Sequence, residues 1–136
     1  VQSMRPGSVP PPTSVRGNGR KVLVLGRDRF GTASLARMLV GAGFKVTTAF
    51  EAAELATALA SDTFDAVLCD ERAANAHTAL LRVSVLEQRA TLLVAECGAP
   101  HETELQLQDG GMPKVCGLPR GASPRDIMVT LARCTA

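Results

Sequence analysis

The stretch FDAVLCDERAANA, residues 64–76, decides how the chain is read. Its first half is a short apolar run with the composition of a strand buried on both faces, and it ends abruptly on two adjacent carboxylates, Asp70 and Glu71. A polar break of that kind marks either a site of chemistry or simply the place where a strand ends. The answer depends on what surrounds it.

Working outward, the same apolar signature recurs four times. KVLVLG (21–26), FKVTTAF (44–50) and ATLLVAE (90–96) read as strands, and KVCGL (114–118) reads as a shorter one weakened by Gly117. Between them lie helical segments. TASLARMLVGAG (32–43) offers Leu35, Met38 and Leu39 to one face and ends at Gly41 or Gly43, while AAELATALAS (52–61) presents Leu55, Ala56 and Leu59. HTALLRVSVLEQ (77–88) is the third helix. HETELQLQ (101–108) is the fourth, with Pro100 in its first turn and Gly110 and Gly111 behind it. The last helix opens with Ser123 as a cap, Pro124 at the first position and Asp126 three residues after the cap, and its apolar face is Ile127, Met128 and Leu131. Five strands alternating with five helices predict an α/β fold, a parallel sheet covered by helices on both faces.

Composition narrows the function. The 136 residues suit one domain, and the absence of Tyr and Trp, with only four Phe, offers few platforms for stacking bases or sugars. The net charge of +2 is misleading, because Arg5, Arg16, Arg20 and Lys21 fall in an acid-free start, leaving 11 basic and 13 acidic groups from residue 22 onward. The domain therefore lacks the basic patch expected of a nucleic-acid binder. Residues 1–19 carry four of the eight prolines and three glycines and read as a flexible arm or linker, with residues 20–136 as the folded domain. Cys69, Cys97, Cys116 and Cys134 follow neither a zinc spacing nor a dense disulfide framework, so they are read as buried thiols in a reducing compartment. No run is long enough to cross a membrane and no secretory h-region is visible, so the expected setting is cytoplasmic, without membrane contact.

In an open parallel sheet, ligands gather beyond the carboxyl ends of the strands. The positions that matter are Gly26, Arg27 and Asp28 after strand one, Asp70, Glu71 and Arg72 after strand three, Ala95, Glu96 and Cys97 after strand four, and Leu118, Pro119 and Arg120 after strand five. Here the chain resembles the receiver domain of bacterial two-component response regulators, a flavodoxin-like domain in which a strand-three aspartate accepts a phosphoryl group from a histidine kinase. The resemblance covers roughly residues 20–134. It is carried by KVLVLGRD, by GAGFKVTTAFEAAELATAL, by FDAVLCD on the phospho-acceptor strand, and by GMPKVCGLPRGASPRDIMVTLARC, with Pro119 on the proline that follows the family's lysine.

The departures from the resemblance shape the functional expectation. Asp70 matches the acceptor, but Gly26 and Arg27 fall where the family has two adjacent acids, Ala95 falls on its Thr or Ser, and Leu118 falls on its lysine. A Mg²⁺ ion wants near-octahedral oxygen ligands, and Arg27 brings positive charge to where the cation would sit. The resemblance is thus to a divergent pseudo-receiver: a non-catalytic signalling and protein-interaction module with no cofactor, one part of a longer bacterial regulatory protein. Asp70 is then a strand-end carboxylate neutralised by Arg27 or Arg72, or accepting local backbone N–H groups, or a group that meets a partner. In the alternative reading, Asp70 is phosphorylated by a histidine kinase with Mg²⁺ and atypical ligands, to which Asp28 or Glu71 could contribute.

The resemblance also implies an output surface over residues 102–107 and 114–131, with Met112, Val115, Leu118, Arg120 and Arg125 as contributors. Its partner would be a regulatory protein or domain, or a second copy in a homodimer. Weaker signals add little. GRDRFG is neither GxGxxG nor a GxxxxGK[ST] loop, His77 and His101 have no metal-ligand spacing, and LPRGASPR is either a cap or an anion site using Arg120.

Overall fold

Residue alternation along the strands sets the architecture. In β1 (Lys21–Leu25), Val22 and Val24 face one side of the sheet while Leu23 and Leu25 face the other, and all four are buried. β3 (Ala66–Asp70) divides the same way, with Ala66 and Leu68 opposite Val67 and Cys69. In β4 (Thr91–Cys97), Leu93 opposes Leu92 and Val94. With β2 (Lys45–Ala49) and β5 (Val115–Pro119), these strands form one parallel sheet in the order β2-β1-β3-β4-β5. The computed structural model describes residues 16–112 and 114–135, so most of the proline-rich arm lies outside the described residues. The hydrogen-bonded body begins at Gly17 and Gly19, whose N–H groups donate to the Ala42 and Gly43 carbonyls.

Two helices cover one face. α1 (Arg29–Gly41) contributes Leu35 and Leu39, and α6 (Pro124–Cys134) contributes Ile127, Met128 and Leu131. The opposite face carries α2 (Ala52–Ser61), α3 (Glu71–Ala76), α4 (Thr78–Gln88) and α5 (Pro100–Asp109), which bury Leu55, Ala74, Leu81, Val85 and Leu107. The parallel sheet predicted from the strand pattern is therefore present, in the flavodoxin-like form that the resemblance implies.

The helix count differs from the sequence reading. α3 is additional, making six helices among the described residues: Asp70 caps the helix-favouring run ERAANA, and His77, at φ −119° and ψ 29°, interrupts it before α4 begins. The expected cap of the last helix is observed in full. Ser123 Oγ accepts the Asp126 N–H while Asp126 Oδ2 accepts the Ser123 N–H, so the capping box takes two of the donors that the anion reading of LPRGASPR would use.

Gly117 has a packing role in β5. A Cβ there would stand 2.9 Å from the Pro100 carbonyl, so glycine lets the start of α5 close on the edge strand, and Glu104 Oε2 accepts the Gly117 N–H at 2.7 Å.

Two residues assigned to the output surface are core residues instead. Met112 is 1% exposed and Val115 8%, because the α5 end turns Met112 inward, its N–H donating to the Leu107 carbonyl, and Val115 falls on the α2–α5 side of the sheet. Leu118 is half-buried against the other core layer, which leaves Arg120 and Arg125 exposed. The exposed apolar groups of this region are Leu105 and Val129.

Candidate functional site

The strand order reverses its winding at β1, which lies between β2 and β3. The crevice expected at such a switch point lies beyond the carboxyl ends of β1 and β3. A cavity of about 460 Å³ occupies it, lined by Gly26, Arg27, Asp28, Asp70, Ala95 and Glu96 above apolar walls that include Leu35 and Ile127. A second, more polar hollow of about 450 Å³ shares Arg27, Asp70 and Glu96 and adds Glu71, Arg72, Asn75 and Arg120.

Asp70 divides its carboxylate between two tasks. Oδ1 accepts the Ala73 N–H at 2.7 Å and so caps α3, while Oδ2 stands 3.6 Å from Arg27 Nε. Two of the roles expected for a strand-end carboxylate, backbone acceptor and partner of Arg27, are thus filled together. Arg72 lines the same hollow without closing a salt bridge to Asp70 among the described residues.

Two of the neighbouring acids have partners of their own, while Glu96 lines the crevice beside them. Asp28 caps α1, its Oδ1 accepting the Gly31 N–H at 2.6 Å. Glu71 accepts the Thr103 hydroxyl at 2.6 Å, which ties the start of α3 to α5. Gly26 adds no ligand, and a Cβ built there would overlap the Thr32 side chain. Ala95 stands opposite Asp70 in the β3–β4 register and brings no hydroxyl. Leu118 does not line the Asp70 cavities; it borders a separate hollow with Arg120, Val129 and Arg133.

The positive charge of Arg27 therefore opposes a cation at Asp70. Asp70 already carries a guanidinium and a backbone donor, and among the described residues no three His, Cys, Asp or Glu side chains converge as metal ligands.

Two features of the site escaped the sequence reading. Thr103 sits mid-helix, where a Thr gives no warning of a partner 32 residues away. Glu96 adopts φ 58°, the left-handed region, at the irregularity where β4 shifts register against β5 between Val94 and Cys97. An acid within an otherwise apolar strand is the only sequence signal of it.

The remaining candidates are quiet. Burial raises the Cys69 thiol, with Asp70 and Cys97 adding to the effect, and burial raises Cys97 against the opposing Thr103 hydrogen bond. Cys97 donates its S–H to the Val94 carbonyl. His101 is exposed, 3.8 Å from Glu104, and His77 joins α3 to α4.

Comparison with solved structures gives the setting for this geometry. A response regulator from Thermotoga maritima superposes with a TM-score of 0.69 over 86% of this chain and 98% of its own, at 16% identity. The chain has the receiver fold. A response regulator from Burkholderia pseudomallei, solved with a phosphorylated aspartic acid, calcium ion and citrate, matches at TM-score 0.67 and 23% identity over 85% of this chain and 68% of that one. The receiver domain of a sensor histidine kinase from Pseudomonas aeruginosa PAO1, with magnesium coordinated in its active-site cleft, matches at 0.63 and 16% identity over 86% and 98%. No family model matches the chain, and neither does any curated protein. On the receiver fold, Asp70 stands at the end of the third strand, beside the crevice where Arg27 reaches it.

Proposed function

We propose that this chain is a signalling domain that works through protein–protein contact, without catalytic chemistry of its own and without regulation by Mg²⁺-dependent phosphorylation. The observation that carries this reading is the Arg27–Asp70 contact, a guanidinium placed against the carboxylate that a metal and a phosphoryl group would need. The other occupations support it: Asp28 in a helix cap, Glu71 on Thr103, and no side chain at Gly26. A site arranged this way is held in one state by protein groups alone. The partner is a regulatory protein or domain, or a second copy of the chain, with Arg120 and Arg125 as the polar contacts of an output face and Leu105 and Val129 as its apolar ones. The residues before the folded body serve as its tether, and the setting is cytoplasmic. Among the described residues, no helix is long and apolar enough to cross a membrane.

A second reading, phosphorylation of Asp70 by a histidine kinase, draws on the open hollows that Asp70 lines. Intact-mass measurement after incubation with acetyl phosphate and Mg²⁺ separates the two. The expected spectrum of the wild-type chain is unchanged, and one added phosphoryl group that disappears in Asp70→Ala would overturn the proposal.

A further inference from the structure

Four cysteines scattered through the sequence are sorted by the fold into two kinds. Cys69 and Cys97 are buried within the α2–α5 core layer, at 2% and 1% exposure. Cys116 and Cys134 lie on the other face of the sheet, both half-buried, with their Sγ atoms 2.9 Å apart. Cys116 belongs to the edge strand β5, where it pairs with Leu93, and Cys134 is the last residue of α6. The Thr91 hydroxyl donates to the Cys134 carbonyl at 3.4 Å, which holds that helix end against the start of β4. A disulfide needs an S–S separation of about 2.0 Å, so the sulfurs have only about 0.9 Å to close.

We propose that Cys116 and Cys134 form a reversible disulfide that fastens the end of α6 to the edge of the sheet. The oxidant is a small-molecule disulfide of the glutathione class. One cysteine thiolate attacks a sulfur of that disulfide, forming a mixed disulfide and expelling one small thiolate. The second cysteine then attacks the protein-side sulfur, forming the Cys116–Cys134 bond and expelling the other small thiolate. Two protein thiols are oxidised, one external disulfide is reduced to two thiols, and the two protein protons end on those leaving thiols. Burial, then Cys134 and Glu104, raise the Cys116 thiol against a weaker pull from Arg133, so the thiolate that the exchange needs forms more readily as pH rises. Closing a loop between positions 18 residues apart removes freedom from the unfolded chain, so the oxidised form is the more stable one.

The test equilibrates the full reduced chain in buffers of increasing oxidised-to-reduced glutathione ratio, followed by alkylation, intact mass and peptide mapping. The expected result is loss of two thiols together, a mass lower by two hydrogens, a single cross-link joining the peptides of Cys116 and Cys134, and a raised Tm that dithiothreitol reverses. Cys69 and Cys97 remain alkylatable on unfolding. Cys134→Ser and Cys116→Ser lose the cross-link and the Tm response, while Cys69→Ala keeps both. Persistent glutathione adducts without an internal bond, cross-links between other cysteines or between chains, or four free thiols at the most oxidising ratio would each overturn the proposal.

Discussion

Arg27 Nε stands 3.6 Å from Asp70 Oδ2, and the two ends of that contact are unequal: the Arg27 side chain is 61% exposed and that of Asp70 only 14%. The pair is thus a solvated cation leaning over a half-sunk anion. Its effect on stability is small, since exposed pairs contribute about 0–1 kcal/mol, and its effect on charge in the crevice is large by comparison. Arg27→Ala should therefore change the unfolding free energy, read from urea titration, by less than about 1 kcal/mol. Arg27→Asp, which places a second carboxylate beside Asp70, should give a Mg²⁺-dependent rise in Tm that the wild-type chain lacks.

Asp70 is also a helix cap, and its two roles separate by substitution. Asp70→Ala should destabilise by about 1 kcal/mol through loss of the Ala73 N–H acceptor. Asp70→Asn keeps an acceptor oxygen and should cost less. Equal losses in urea unfolding would place the effect in the charge instead of the cap.

Gly26 is packed against the Thr32 side chain. Gly26→Ala should cost about 1–3 kcal/mol, the usual range for overpacking, and Thr32→Ala in the same chain should restore part of it. Thermal unfolding of the single and double variants measures that recovery.

The Glu71–Thr103 hydrogen bond joins two helices across the polar hollow. Thr103→Val should destabilise by about 1.5–3 kcal/mol, the range for hydrogen bonds to charged groups. Glu71→Gln added to it should cost less than it does alone, and a double-mutant cycle reads that coupling directly.

Two carboxylates make stability sensitive to acid. A hydrogen bond from Lys21, then the Thr63 N–H, holds Asp62 below its ordinary value of 3.8, and the Ser123 backbone and hydroxyl do the same for Asp126. Folded-state values lie below unfolded ones, so the stabilisation is complete above the unfolded value and disappears as pH falls through the folded values. Urea midpoints measured downward from pH 5 should fall below pH 4, and Asp62→Asn with Asp126→Asn should flatten that slope.

The sheet was legible because its strands are short apolar runs bounded by glycines and polar breaks, and the alternation of Val22, Leu23, Val24 and Leu25 serves both layers at once. The caps at Ser123 and Asp126 were legible for the same reason, since they are local. α3 is not evident in the sequence because ERAANA is only six residues long and falls between the strand that ends at Asp70 and the longer helical pattern from His77. Met112 and Val115 come to the output surface only through the resemblance, and the pattern alone does not tell an apolar residue that meets a partner from one that faces the core. Contacts that span the chain, Glu71 with Thr103 and Cys116 with Cys134, exist only once the crossovers bring distant segments together. No local pattern encodes them.

Glu104 holds the Gly117 N–H on β5, the last strand of the sheet. That occupied donor lies on the free margin of the sheet, where an unpaired backbone would invite an incoming chain to add itself as a sixth strand. A carboxylate from the adjoining helix already satisfies it, and Pro100 packs against the same glycine. Strand addition finds its donor taken at this position, so a protein landing on this side of β5 relies the more on side-chain contacts, which favours a selective partner.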